Sequence, residues 1–429
     1  MLSKSIKMKI INILFLFIPI SYIAGNLLIN LNILLLFMAG IFFYGKNLFK
    51  IDFILIDKLI FYLFALFLII CFYNYLDQNK LTSSDLKFIT TKTIFYFHYL
   101  LFYLILRYFI ENKIISMKFF FISCLFSCLF VCFDIFYQLI FDKDIFGYEA
   151  VNRKLSGPFG DEWIAGAYLQ KFAPIGFFAF PLIFNLSQKK KILFFLIISF
   201  LVVLAAMVLS GNRMPLILFL FVIFLLFIFE KKLRRYFFPL IFLSSAVIFL
   251  IYNSSEEIKT NLDSFVTYTK KLSTVITEEK IDRLQMPSHY AEFESFYDTW
   301  RMNKYTGGGI RSFRINCPNR SNIDQDERST CNTHPHNYYL EILTDLGLIG
   351  LLLVSLIFIA ILYKSFIGKY ILSSNKALRT NYLITPFLFL FIAEIFPIKS
   401  TGSFFTTFNS TYIFLVMAVI VSLLKQKKL

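Results

Sequence analysis

The sequence predicts an all-α polytopic membrane protein with about twelve transmembrane helices, and three observations carry that prediction. Hydrophobic residues make up 58% of the 429 and charged residues only 16%, whereas a soluble domain is about 45–50% apolar and about 25% charged. Mean hydropathy is +0.69. The apolar residues also gather into runs of about 20, the length that crosses a hydrocarbon core as a helix. This pattern excludes a soluble enzyme, a disordered chain and a secreted disulfide scaffold. The net charge of +16 would suggest nucleic acid in a soluble protein, so the distribution of that charge along the chain decides its meaning.

The first run, 10–24, lacks a small-x-small cleavage site and is followed at once by 27–44, so it reads as an uncleaved anchor. Runs at 56–75, 90–106 and 119–140 come next. The sixth, 168–186, is cut by Pro174 and Pro181. Those at 192–210, 213–229 and 236–252 follow closely, and after a long polar stretch come 339–363, 381–397 and 405–424. The run 381–397 is the least regular, with Pro386, Glu394 and Pro397 inside it.

Placing both termini in the cytoplasm puts the basic clusters Lys4/Lys7/Lys9, Lys189–Lys191, Lys231–Arg235 and Lys425–Lys428 on one side, together with every other short basic loop. That side then holds 23 basic residues against the four acids Asp52, Asp57, Glu111 and Glu230, and the rest of the chain is slightly acidic. The excess charge is therefore the positive-inside signature and needs no nucleic acid. The inner loops are too short for a catalytic domain, so function belongs to the membrane or the outer face. The chain reads as one integral membrane domain, 1–429, with a large outer loop at 253–338 between the ninth and tenth spans. Phe265, Tyr268, Phe293, Phe296, Tyr297 and Trp300 recur there at helix-like spacing, which predicts amphipathic helices on the membrane surface.

Of six cysteines, Cys71, Cys124, Cys128 and Cys132 fall inside spans, the last three on one helical face as small residues at a helix contact. Cys317 and Cys331 lie in the outer loop, where an oxidising compartment favours a disulfide. Zinc is the rival for this pair because His334 and His336 are near, though the spacing fits no common zinc pattern.

Four polar constellations face outward. His336 precedes a helix starting near Asn337, where a neutral imidazole can serve as a general base and the helix N-terminus favours an anion. Ser210-Gly211-Asn212-Arg213 is a short turn that sets Arg213 at the start of a span, as either a snorkelling anchor or a functional cation. Arg153 and Glu162 flank a Gly-rich turn ahead of the Pro-broken span. Gly307-Gly308-Gly309 precedes Arg311 and Arg314. Asp142 and Asp144 form an acidic pair of a kind that can hold a metal, but no compact carboxylate cluster supports one, so neither metal nor cofactor is expected. His98 and Glu394 read as buried groups in interhelical hydrogen bonds, with an intramembrane acid always a functional candidate. Arginines and a histidine at the outer face of an apolar bundle suit a lipid-linked diphosphate, with the tail in the bilayer and the phosphates on the arginines.

In these residues the chain resembles the bacterial O-antigen ligase/O-antigen polymerase superfamily of polytopic glycosyltransferases. The resemblance rests on the long outer loop, on His336-Asn337 followed by Leu340, Leu343, Gly347 and Gly350, on the turn ending in Arg213, and on Gly307, Gly309 and Phe313. It runs from about residue 140 to 424. At the position of a further family arginine ahead of Gly307 stands His289, with Arg301 nearer but at the wrong spacing. His289, the cysteines and the segment Ser156–Glu162 are similar to a polymerase-like subset.

The resemblance implies a metal-independent, inverting transfer of a glycan from an undecaprenyl diphosphate-linked donor at the periplasmic face of the bacterial inner membrane. The acceptor is another lipid-linked repeat unit for a polymerase and lipid A-core for a ligase. His336 is then the base on the acceptor hydroxyl and Arg213 the cation on the departing diphosphate. Arg311, Arg314, His289, Arg301, Arg153, Glu162 and Asn337 are substrate-binding. Other polysaccharide-assembly proteins are the implied partners. A lipid-linked oligosaccharide transporter or flippase is the alternative, and a midplane rather than outer-face polar cavity is what would mark it.

Overall fold

The structure is a computed structural model that describes residues 3–76, 82–150, 155–184, 188–254, 256, 259–260, 263–264, 267, 288–320, 331, 336–372, 381–399 and 402–425. Among these the chain is helical, and the only extended pairing is an isolated bridge between Lys143 and Glu149.

The first apolar run forms α1 (Lys4–Leu16) and α2 (Ile18–Ile23), broken at Phe17 with Pro19 in the first turn of α2. Next come α3 (Asn26–Tyr44), α4 (Leu55–Leu76), α5 (Ser83–Glu111) and α6 (Met117–Phe141). The proline-cut run becomes α7 (Ala165–Phe177) and α8 (Phe180–Ile183), with Pro174 kept inside α7 and Pro181 opening α8. Three further helices, α9 (Lys189–Leu209), α10 (Arg213–Phe229) and α11 (Phe237–Tyr252), lead into the long connection. There lie α12 (Ser288–Met302) and the single turn α13 (Phe313–Asn316). The chain closes with α14 (Tyr338–Leu362), α15 (Ile384–Glu394) and α16 (Thr407–Lys425). Among the described residues nine helical segments are long and apolar enough to cross a membrane, while Arg213–Phe229 and Ile384–Glu394 are shorter apolar helices.

Burial separates the helices by role. The apolar window of α16 is 83% buried and packs against α5 and α15, whereas that of α11 is 0% buried. A helix that is apolar all round and meets little protein is one built to face lipid. The Cys124/Cys128/Cys132 face of α6 is wholly buried. At this face α7 comes so close that a Cβ on Gly176 would stand 2.9 Å from the Leu125 backbone, a small-residue contact of the kind common in membrane bundles. At the N-terminal end of α6, Asn12 on α1 donates to Ile114 O and accepts from Ser116 N, holding the α5–α6 turn. Buried Arg107 pairs with Asp57 and Glu111, and Tyr103 donates to Asp57 at 2.7 Å. This follows the rule that buried charges in a bundle are paired.

α12 is amphipathic: Ser295, Phe296 and Thr299 are buried and Tyr297 is exposed. It packs against α14, so its apolar face meets protein, whereas the sequence led us to expect a helix resting on the membrane surface. Phe265 and Tyr268 lie outside the described residues.

One backbone feature ties the long connection to the bundle. α14 is interrupted at Gly347, whose φ is +65° and ψ −168°. The carbonyls released by the break, Thr344 O and Asp345 O, accept from Gly308 N (3.1 Å) and Gly309 N (2.8 Å). On the far side, Leu348 N and Ile349 N donate to Lys304 O (2.9 Å) and Tyr305 O (3.2 Å). The two backbones interlock too closely for side chains: a Cβ on Gly307 would stand 2.4 Å from Asp345 O, and one on Gly347 would stand 2.2 Å from Tyr305 O. Irregular backbone inside an apolar bundle persists only where other protein groups bond it again. Gly347→Ala should therefore lower stability by at least about 2 kcal/mol, combining backbone strain with a steric clash. Gly25→Ala is the comparison, since Gly25 has φ +97° but open space around it. A thermal midpoint for Gly347→Ala no lower than that of Gly25→Ala would show that the interlock does not form.

Candidate active site

The Ser210–Asn212 turn is fixed from its sides. Asn212 Oδ1 accepts from Gly166 N at 2.8 Å and its Nδ2 donates to Trp163 O at 3.0 Å. A Cβ on Gly166 would stand 2.6 Å from Asn212 Cβ, so only glycine allows this docking. Arg213 is then the first residue of α10, exposed, and its guanidinium donates to the Ser264 hydroxyl of the long connection. A cation at a helix N-terminus opposes the helix dipole, so the position serves an incoming anion better than it serves the helix.

His336 is half-buried, with φ +52°. A non-glycine residue in the left-handed region is held there by its surroundings, and here the holder is Asn337. Its Oδ1 caps α14 by accepting from Tyr339 N (3.0 Å) and Leu340 N (3.2 Å). Its Nδ2 donates to Pro397 O (2.8 Å) and Lys399 O (3.4 Å). Asn337, expected among the substrate-binding residues, thus has both ends of its amide occupied by backbone.

Beneath this clamp lies a charged cluster that sequence reading did not assemble. Lys171 on α7, Glu394 at the end of α15 and Lys399 are 2%, 1% and 4% exposed. Glu394 receives Lys171 and Lys399 on separate oxygens, each at 2.7 Å. Tyr338 donates to Glu394, Lys399 donates to the Tyr338 hydroxyl at 3.0 Å, and Lys171 sits 4.2 Å from the Tyr412 ring centroid. Burial holds the Lys399 ammonium below its usual range, with the Glu394 carboxylate pulling the other way. The cluster sets two lysines on one carboxylate beside the Asn337 clamp.

The Gly-rich loop delivers the remaining cations. Arg311 has φ +61°; its N–H donates to Asp345 Oδ2 at 2.6 Å and its guanidinium donates to Phe405 O at 3.0 Å. Asp345 also accepts from Ser312 Oγ at 3.2 Å. Glu341, one turn earlier on α14, accepts from Ser403 Oγ and from Phe404 N (2.5 Å). Arg314 lies 5.4 Å from the Phe88 ring centroid, and its Nε is buried without a partner. Burial, and then Arg311, hold its guanidinium below the usual range. A cavity of about 530 Å³ opens beside Arg311, and neither Arg213 nor His336 lines it.

The other sequence candidates are scattered. Glu162 is exposed just ahead of α7, and Arg301 is exposed in the last turn of α12. His289 lies in the first turn of α12. Arg153 and His334 lie outside the described residues. Cys317 and Cys331 are bonded, with Cα atoms 5.6 Å apart, and pack with Phe296 and Phe313. Asp142 ends α6 exposed, whereas Asp144 is buried and accepts from Tyr148 N at 2.7 Å, so the acidic pair diverges. His98 bonds Phe95 O within its own helix, not across helices as expected, which leaves Nε2 buried and unpartnered.

Residues 194–355 match the family described as O-antigen ligase. The matched stretch contains Arg213, the Gly307–Gly309 interlock and the His336-Asn337 clamp. Over that stretch the chain is similar to the O-antigen ligase/polymerase superfamily. No curated protein matches it. The match supports an O-antigen ligase/polymerase-type function in surface polysaccharide assembly, and the apolar helices support a multi-pass membrane protein.

Lys171 and Lys399 went unremarked in the sequence because a lysine in or beside an apolar run looks like a snorkelling anchor until its partner is known. The i, i+4 pair Glu341 and Asp345 in an otherwise apolar helix was the signal that could have exposed the Gly-rich loop's docking face. Glu394→Gln should destabilise the protein by about 3–5 kcal/mol, because it leaves two buried cations uncompensated. An unchanged thermal midpoint would show that the cluster is not buried as described. Cys317→Ser with Cys331→Ser should cost about 3 kcal/mol by releasing a short closed loop. Alkylation of both thiols in unreduced native protein would show that the bond is not made.

Proposed function

We propose that this protein transfers a glycan from an undecaprenyl diphosphate-linked donor at the periplasmic face of the inner membrane. In this reading the twelve apolar runs are twelve crossings, both termini are cytoplasmic, and Arg213, His336 and the Gly-rich loop share the outer end. The observation that carries it is the family match, which spans all three elements. The placement of Arg213, His336 and Glu394 at the ends of α10, α14 and α15 supports it further against a transporter with a midplane site.

Chemically, the diphosphate leaves as a good leaving group once its charge is met. Arg213 meets it from the exposed N-terminus of α10. His336 takes the proton from the acceptor hydroxyl. Asn337 positions His336 by fixing the strained backbone. A general base contributes typically about 10²–10⁴-fold and one charge-stabilising donor about 10²–10³-fold. Inversion follows from direct attack opposite the leaving diphosphate, with no metal in the step. Polymerase is the reading favoured over ligase by His289, the cysteine pair and the Ser156–Glu162 segment.

His336→Ala and Arg213→Ala should each abolish polymer while leaving membrane abundance near wild type, because both side chains lie at an interface and neither truncation opens a core cavity. His334→Ala should be milder. Gel analysis of surface polysaccharide reads this directly: single-repeat capping marks a polymerase, and loss of all polymer on the core marks a ligase. Wild-type polymer from both the His336 and Arg213 variants would remove the transferase reading in favour of transport.

A further inference from the structure

A separate cavity, of about 280 Å³, lies at the end of α10 remote from Arg213. It is walled by the end of α7, by α9 and α10 and by the start of α11, and Phe178, Leu196, Phe227 and Leu240 supply apolar surface from each side. Lys232 and Tyr236, in the link from α10 to α11, line it at the helix ends. From Leu193 to Phe200 it runs roughly 10 Å along α9. Leu193, Leu196, Phe227 and Leu240 are all half-buried, and no residue in the apolar window of α11 is buried, so the cleft opens sideways to lipid. Its volume lies just below the range of about 300–1,000 Å³ that encloses a whole small ligand, which suits a length of acyl chain.

The same end of the bundle is cationic. Lys189, Lys190 and Lys191 open α9, and Lys231, Lys232, Arg234 and Arg235 link α10 to α11. Because α9 and α10 are joined by a short turn and run antiparallel, the two basic segments meet at one end, and all of these side chains are exposed. Among the described residues no carboxylate forms an ion pair with any of them. The one acid in the link, Glu230, accepts from the Tyr370 hydroxyl at 2.7 Å and from the Thr385 hydroxyl at 3.4 Å, so it is held by other segments. Arg234 donates to Ile228 O and closes the turn, and the Arg235 guanidinium stands 4.7 Å from the ring centroid of Tyr236. The positive-inside rule accounts for cations at a membrane surface. It does not account for an apolar cleft open between helices directly beneath them, which is the arrangement that a headgroup and its chain would fill together.

We propose that this cleft binds an anionic phospholipid, with the phosphodiester at Lys232 and Arg235 and one acyl chain against Leu196, Phe227 and Leu240. A zwitterionic lipid fits less well, because its headgroup amine would enter a cluster of unpaired cations. The site is separate from the proposed transfer chemistry, since Arg213 stands at the other end of α10, about 25 Å away along a 17-residue helix. Nothing in the argument rests on the transferase reading. The lipid would join α10 and α11 through a shared ligand, where α11 otherwise packs against α9.

The test uses full-length protein in phosphatidylcholine vesicles doped with a phosphatidylglycerol that carries a diazirine on one acyl chain, with crosslinked peptides mapped by mass spectrometry. The expected result is labelling concentrated on α9, α10 and α11 that unlabelled phosphatidylglycerol competes away. Lys232→Gln should weaken it about fivefold, the equivalent of one cation beside an anionic headgroup. Leu196→Trp, which fills the apolar part, should weaken it too. Lys4→Gln removes an exposed lysine of α1 that does not line the cleft, and should leave the labelling unchanged. Lys232→Gln should keep the wild-type thermal midpoint in phosphatidylcholine alone, since its side chain is exposed. Should Leu196→Trp fold poorly, the comparison of Lys232→Gln with Lys4→Gln decides by itself. Equal labelling of these helices by a diazirine-bearing phosphatidylcholine would overturn the proposal by showing ordinary boundary lipid. Equal loss in the Lys4 and Lys232 variants, or no loss in the Lys232 variant, would overturn it by showing that general surface charge or the chain alone governs binding. Stronger competition by a polyprenyl phosphate than by phosphatidylglycerol would also overturn it, by making the cleft a polyprenyl site.

Discussion

A helix that breaks within an apolar bundle releases N–H and C=O groups with no water to receive them, and at Gly347 those groups are received by the chain segment 304–309. The rest of the candidate site depends on this exchange. It anchors the long connection to α14 by backbone alone, which is why glycine stands on both sides of the contact. It also fixes where the connection goes next: Arg311 must lie over Asp345, and Phe313 must stack on Phe296 beside the disulfide. The glycine run looked in the sequence like a flexible approach to phosphate. Here its glycines serve a backbone-to-backbone lock, and the cations that follow are displayed because the lock is closed.

The second organising constraint is electrostatic. Charges buried among apolar helices must be paired or bonded, and those at the end bearing the long connection are satisfied unequally. Glu341 and Asp345 are each bonded by backbone and hydroxyl donors, so they hold loops in place. Glu394 is shared by two lysines, which hold α7 and the segment after α15 together. Lys92, Arg311 and Arg314 have no carboxylate paired to them among the described residues. Positive charge therefore gathers at the cavity beside Arg311.

The position of His336 shows how a candidate residue can be legible while its support is not. Its place before an apolar helix was plain from the sequence, and so was an asparagine suited to cap that helix. That the same asparagine would reach across to Pro397 and Lys399 depends on α15 ending beside the start of α14, a contact between segments 60 residues apart. The disulfide was legible for a different reason: compartment and cysteine count argue for it without any knowledge of packing. His98 marks the opposite case, since only the structure shows that its second ring nitrogen is left unbonded in a cleft.

The sequence by itself determined the class of the fold, the positions of the apolar helices and the residues of the family motif, because hydrophobic runs, charge asymmetry and short spacings are local properties. Apart from α12 and α13 in the long connection, the helices found coincide with those runs. Tertiary structure alone decided that Gly347 breaks a helix to lock the Gly-rich loop. It also joined Lys171, Glu394 and Lys399 into one cluster from distant segments, and it set Lys92 on α5 beside Arg311 and Arg314. These are long-range juxtapositions: a lysine in an apolar run carries no local mark of the carboxylate or the empty cleft it will face, and only the packing of the helices supplies that partner.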